Sequence, residues 1–392
     1  MTSRRPRRLR ATMAAAAAVA ALVLLGACTA ATPTPAADPL ATWTTALAQR
    51  DTKPANWLAI GDSISEGQGA SSLADRWIDM TRENLREAYP VEGVAGGLGY
   101  RPAAYAVYAP DSTWGRWAAE SEGSVEPTLN APDLGYRAVQ LGAGATTTYV
   151  FTGTDLDIWW SGGGGTFRYA IDGGSAVDVD TASGGDVTSA GNITRVSGLD
   201  RFEHDVTISA VDDVTLEGFT VFDGDRDKGI VSYDSTHSGA TVDTFLADLP
   251  AYLDAVKATH PDVITISLGG NDASTEKPAA LQKKYDELVS ALTKLDSKPS
   301  IVLIGEFVPG TSIADGFQAP FSEYLAAIKK VASDNGALYV GLDEVLPSEG
   351  LATSGLLSTT DGIHPNDAGQ KLIAGLMTRT LSPGTESATP TP

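Results

Sequence analysis

The sequence predicts an α/β fold, a parallel sheet with helices on both faces, interrupted by an inserted all-β domain. Three observations predict it. Apolar runs alternate with amphipathic stretches over residues 57–89 and again beyond residue 228. Between them, residues 93–224 lose helical periodicity and break into short β-rich runs punctuated by Gly, Thr, Ser and Asp. Finally, three of the apolar runs lead into glycine-flanked polar clusters, the pattern expected where strand carboxyl ends line a ligand crevice.

Each element has its own reason. Trp57-Leu58-Ala59-Ile60 ends in Gly61-Asp62-Ser63, which reads as a buried strand delivering a serine to the sheet rim. Asp62 or Ser63 would equally suit an ordinary helix N-cap. Trp77, Met80, Leu85 and Ala88 give residues 73–89 a helical apolar face, and Pro90 ends it. After the insertion, a strand at 229–233 leads to Ser238-Gly239-Ala240-Thr241. A helix over 242–259 carries Phe245, Leu249, Tyr252, Leu253 and Val256 on one face. The run 263–268 is a buried-type strand ending in Gly269-Gly270-Asn271-Asp272. Helices over 278–295 and 317–335 alternate with strands at 301–304 and 337–340. Asp361-Gly362-Ile363-His364-Pro365 precedes a last helix over 366–381.

Within the insertion, Thr147–Phe151, Leu156–Trp160, Thr166–Ile171, Val206–Val211 and Val214–Phe219 are candidate strands, and Asp172-Gly173-Gly174 a hairpin turn. Their spacing argues for an antiparallel sandwich or jelly roll. The domain plan is a signal peptide at 1–27, a lipidated tether and linker at 28–50, the α/β body at 51–92 and 227–381, the β insertion at 93–226, and a disordered tail at 382–392.

The chain has 392 residues, 42% of them hydrophobic, enough to bury a sizeable core. Its formal charge is −21 although five arginines crowd the first ten residues; without those five it is −26. A surface so acidic repels nucleic acid and anionic lipid, so neither is an expected partner. Those arginines precede an Ala- and Leu-rich run from Ala11 to Ala27, matching a secretory signal. The run is shorter than the roughly 20 residues a membrane span needs. It ends Leu25-Gly26-Ala27-Cys28, with the only cysteine of the chain. This resembles a bacterial lipoprotein signal, which would make Cys28 the acylated first residue of the mature protein and anchor it to the outside of the cell membrane. A lone cysteine allows no intrachain disulfide.

The clusters that carry chemistry are Ser63, Asn271 and the pair Asp361 and His364. A serine hydroxyl needs a base to take its proton. Of four histidines, His204 lies in the insertion and His260 precedes a proline. His237 lies beside the Gly239 loop and stays a contender. His364, with Asp361 three residues before it, is the best base, because Asp361 would accept from the other ring nitrogen. The bland alternative is that Asp361 and His364 only cap the last helix, where Asn366 would serve as well. Donors for a developing oxyanion are the Ser63 N–H, the Gly239 N–H and the Asn271 side-chain amide.

Gly61-Asp62-Ser63 with Gly67, then Gly239, Gly269-Gly270-Asn271-Asp272 and Asp361-Gly362-Ile363-His364 resemble the four blocks of the SGNH (GDSL-like) hydrolases. Ile64 stands where the GDSL name has leucine, and the long insertion departs from the minimal fold. The resemblance implies a flavodoxin-like sheet, Ser63 as nucleophile, Gly239 and Asn271 as oxyanion donors, His364 as base and Asp361 as its orienting partner.

The expectation is a secreted, lipid-anchored serine esterase without cofactor or metal, hydrolysing carboxylic esters through an acyl-enzyme, with glycan O-deacetylation as its specialisation. A general carboxylesterase or lipase is the near alternative, and a catalytically idle surface carbohydrate-binding lipoprotein the distant one. Trp114, Trp117, Trp159 and Trp160 are candidates for a sugar-stacking platform, set against the commoner role of tryptophan in cores. Asp223-Gly224-Asp225-Arg226-Asp227 lacks the remaining positions of a calcium loop and reads as a solvated turn.

Overall fold

Five strands form the parallel sheet of the body in this computed structural model, which describes residues 38–106, 119–128, 131–182, 188–307 and 314–383. In sheet order they are Ile230–Thr236, Ala55–Gly61, Val263–Ser267, Ser300–Gly305 and Leu338–Gly341. Counted along the chain that is 2-1-3-4-5. All four pairings are parallel. Side chains alternate between the two faces, and both faces are buried, so these strands read as continuous apolar runs. Leu58, Ile60, Ile264, Ile266, Ile301 and Leu303 pack into one core, with the helices Val242–Leu246, Leu249–Ala258, Pro278–Leu292 and Phe321–Asp334. Ala55, Trp57, Ala59, Val263, Val302 and Ile304 pack into the other, with the helices Ala41–Gln49, Trp77–Ala88 and Asp367–Leu381.

Two boundaries differ from expectation for identifiable reasons. The helix expected over 242–259 is two, Val242–Leu246 and Leu249–Ala258, because Pro250 has no N–H to continue a helix and Asp248 caps the second one from Ala251 N at 3.4 Å. The linker expected through residue 50 is wrong for its second half. Ala41–Gln49 is a helix whose Trp43, Ala46 and Leu47 are buried on the body, and the Trp43 indole N–H donates to the Leu381 carbonyl at 2.8 Å.

The insertion is antiparallel, as expected, but two of its strands are far longer than the expected runs. Thr146–Ser161 runs 16 residues and Asn192–Ala210 runs 19. They pair along most of their length, with a register shift between Gly153 and Asp155. Gly153 marks a bulge inside one strand there. The nine described strands form one hydrogen-bonded network, so the two separate sheets of a sandwich or jelly roll are not seen among the described residues. The insertion has a core of its own around Tyr149, Ile158, Val206 and Phe219. Its Tyr100, Leu134, Tyr136 and Trp159 belong to the core of the body. It also covers the edge strand Ile230–Thr236, every residue of which is buried, and so protects an otherwise open sheet edge.

Among the described residues, no helix is long and apolar enough to cross a membrane. The expected signal peptide, Cys28, Trp114, Trp117 and the tail beyond residue 383 lie outside the described residues.

Candidate active site

Ser63 opens a one-turn helix, Ser63–Glu66, directly after the strand Ala55–Gly61. Asp62 caps it, accepting from Ile64 N at 3.0 Å. The capping reading and the functional one therefore hold together: the cap fixes the turn and leaves the serine hydroxyl free to face the crevice. His364 Nε2 lies 2.8 Å from Ser63 Oγ, and Asp361 Oδ2 lies 2.9 Å from His364 Nδ1. A carboxylate accepts, so His364 carries its proton on Nδ1 and offers Nε2 as acceptor for the serine hydroxyl.

The loop holding this pair is built by Asp361 itself. Its Oδ1 accepts from Ile363 N at 2.7 Å and from His364 N at 3.0 Å. Burial raises the Asp361 carboxyl, but the bonds from His364 and Ile363 outweigh it and hold it below the ordinary carboxylate value. Asn366 caps the helix Asp367–Leu381, accepting from Ala368 N and Gly369 N at 3.0 and 3.2 Å. Asp361 and His364 are therefore not needed as caps.

Ser63, Gly239, Asn271 and His364 line one cavity of about 280 Å³, together with Asp62, Glu306, Phe307, Phe317, Phe321 and Ile363. Gly239 has φ +82°, and no atom lies within 4 Å of where a Cβ would stand. The Asn271 amide donates to Asp62 Oδ2 at 3.2 Å and to the Ala240 carbonyl at 3.0 Å. Burial pushes the Asp62 carboxyl up to about 7.

The other histidines are placed elsewhere. His237 Nδ1 is 2.6 Å from the Gly135 carbonyl. His204, in the insertion, lies 2.7 Å from both Asp172 Oδ2 and the Asp200 carbonyl. Trp159 and Trp160 are only 1% and 7% exposed, so neither offers a face to a sugar. Among the described residues no group of His, Cys, Asp or Glu could hold a metal. The acidic turn near Asp225 is tied by Lys228 at 2.8 Å.

Three residues of the site escaped sequence reading. Glu306 accepts from Gly270 N at 2.9 Å beneath the Asn271 loop, and burial raises it well above an ordinary carboxyl. Gln370 bridges the last helix to the Ser63 turn, donating to the Ile64 carbonyl at 3.2 Å and accepting from Trp77 N at 2.9 Å. Asp367 accepts from Ser71 N and Ser71 Oγ, each at 2.7 Å. None stands in a motif. Glu306, one residue past an apolar run, was the most detectable.

Residues 224–372 match the model of the GDSL-like Lipase/Acylhydrolase family. The match lies almost wholly within the second part of the body. It takes in Gly239, Asn271, Asp361 and His364 but not Ser63, which the sheet supplies from before the insertion. No curated protein matches the chain in sequence. A solved peptidoglycan O-acetylesterase is similar in fold at 16% identity and TM-score 0.62, over 88% of this chain and 95% of that one. A two-domain esterase active on acetylated mannans overlaps less well, at 13% identity and TM-score 0.43, over 90% of this chain and 56% of that one. A GDSL-like lipase from Parabacteroides merdae shares 19% identity over 39% of this chain and 74% of that one, at TM-score 0.35.

Proposed function

We propose that this protein is an exported serine esterase that removes acyl groups, acetyl in particular, from a glycan through a Ser63 acyl-enzyme. The observation that carries the reading is the unbroken relay from Asp361 through His364 to Ser63, at 2.9 and 2.8 Å. Ser63 Oγ attacks the ester carbonyl while His364 Nε2 takes its proton. Negative charge grows on the carbonyl oxygen, where the N–H groups of Ser63 and Gly239 and the Asn271 amide are the available donors. The imidazolium, stabilised by Asp361, then protonates the departing alcohol. Water, activated by the same histidine, releases the acid and frees Ser63.

The glycan side rests on the fold shared with the peptidoglycan O-acetylesterase across most of both chains. Strand order 2-1-3-4-5 supports the flavodoxin-like reading of the body. Export and lipid anchoring at Cys28 rest on the N-terminal signal pattern; metabolic incorporation of a fatty acid that survives Cys28→Ser would sink them. The wall of Phe307, Phe317, Phe321 and Ile363 also suits a general carboxylesterase acting on apolar esters.

The test compares wild type and Ser63→Ala on p-nitrophenyl acetate, on longer p-nitrophenyl esters and on acetylated glycans. The expectation is turnover by wild type, fastest with acetyl, stoichiometric labelling by a fluorophosphonate, and loss of both in the variant. Equal rates from the two proteins would leave only the binding role.

A further inference from the structure

One turn of the inserted domain passes directly behind the site. Asp133 closes it, accepting from Arg137 N at 2.8 Å and Ala138 N at 2.7 Å. Inside it, Gly135 and Tyr136 have φ of +84° and +56°. A Cβ on Gly135 would stand 2.8 Å from the Thr236 carbonyl oxygen, so the turn is seated on the end of the strand that delivers Gly239. A tyrosine in the left-handed region is strained. Packing holds it there, since its ring stacks on Tyr252 at 6.2 Å and meets Phe245 edge-on at 6.4 Å.

Two bonds leave this turn for the site. The Gly135 carbonyl lies 2.6 Å from His237 Nδ1; a carbonyl only accepts, so the ring nitrogen donates. The Arg137 guanidinium pairs with the carboxylate of Glu66, last residue of the Ser63 turn, and both side chains are 3% exposed.

We propose that this turn belongs to the catalytic scaffold: through His237 it fixes the Gly239 loop, and through Arg137 it fixes the nucleophile turn. The inserted domain then positions the reacting groups rather than serving only as an appended binding module. The inference rests on reading Ser63 as nucleophile and Gly239 as oxyanion donor. His237 and Arg137 are positioning residues, acting through the backbone they hold. On the cavity side Gly239 has nothing packed against its missing side chain. Its loop is held instead by His237 N on the Gly61 carbonyl at 2.9 Å, by the His237 ring and by Asn271 on Ala240. Burial and the charge of Arg137 both lower the His237 pKa, which keeps the ring neutral with its single proton on Nδ1.

The experiment uses the full chain and p-nitrophenyl acetate, with Ser63→Ala as the dead control. His237→Ala removes the donor, whereas His237→Asn places an amide N–H where Nδ1 stood. Small misplacement of a reacting group is costly, so kcat of His237→Ala is expected to fall about 10- to 100-fold, with KM within about threefold. His237→Asn is expected to recover most of that loss, and both variants to melt as folded proteins. The double substitution Glu66→Gln with Arg137→Gln removes both buried charges together and is expected to lower kcat in the same selective way. Wild-type kcat in His237→Ala, or an asparagine variant as poor as the alanine one, overturns the proposal. So does a loss of kcat that follows the loss of folded protein in the melts. Turnover that Ser63→Ala retains would instead bring down the esterase reading itself.

Discussion

At residue scale, the site shows how side chains already spent on local structure also set up chemistry. Asp361 builds its own loop through two backbone N–H groups and aims its other oxygen at His364. Asp62 caps the turn that presents Ser63. Asn271 is the side chain whose proposed oxyanion role is most exposed to test. Its loss removes one donor, about 3 kcal/mol of transition-state stabilisation on the usual scale. Asn271→Ala should therefore lower kcat about 100-fold or somewhat more, leave KM nearly unchanged and still label with a fluorophosphonate. A loss confined to KM would show that Asn271 binds ground state and transition state alike. Ser63, Asn271, Asp361 and His364 were legible in the sequence because each sits in a glycine-flanked cluster after an apolar run. Glu306, Gln370 and Asp367 were not, because nothing in their neighbours distinguishes a residue that supports a loop from any other polar residue.

At the scale of elements, periodicity was a sound guide where one face decides burial. Trp77–Ala88, Pro278–Leu292 and Asp367–Leu381 lie within the expected spans. It failed where composition masked a pattern. Ala41–Gln49 follows an Ala-, Thr- and Pro-rich stretch whose composition hides the helical spacing of Trp43, Ala46 and Leu47. That helix is anchored on the body, and Trp43 is fully buried. Trp43→Ala should cost about 3–5 kcal/mol by the cavity it leaves, measured as a lower midpoint in urea. A change under about 1 kcal/mol, ordinary for a surface site, would mean the helix is not docked in solution.

Across the whole molecule, the joint between insertion and body is built from buried charge. Asp79, on the helix Trp77–Ala88, pairs with Arg76, Arg82 and Arg101, the last from the first strand of the insertion. Burial raises Asp79, but those three cations outweigh it and hold the carboxyl low. Such a network commits both parts to one arrangement, because breaking one partner strands the others without water. Other buried carboxyls behave oppositely. Burial pushes Glu217 and Asp272 up to about 7, as it does Asp62. Above the ordinary carboxylate range and up to about pH 7, the folded protein keeps protons that the unfolded chain has released. Stability therefore falls as pH rises through that window. The depressed carboxyls, Asp79 and Asp361 among them, are fully ionised there in both states and do not offset the loss. The expected result is a higher Tm at pH 5 than at pH 8, with a shallower slope in Glu217→Gln. Glu217 alone, raised from 4.5 to about 7, contributes on the order of 3 kcal/mol to that slope. A Tm that climbs toward pH 8 would contradict the buried, protonated state of these groups.

What the sequence by itself determined is local: which runs form strands and helices, and that a serine, an asparagine and an Asp–His pair end up in loops at strand carboxyl ends. These follow from the period of apolar residues and from turn chemistry, which short stretches of chain express on their own. Only the tertiary structure decided that His364 rather than His237 reaches Ser63, since both histidines lie in loops beside the site and differ in the partner that claims the ring. It alone seated the turn around Gly135 behind the Gly239 loop and joined the runs at 147–151 and 156–160 into one strand. Those outcomes depend on pairings between residues far apart in the chain, and such distances leave no mark on the local sequence pattern.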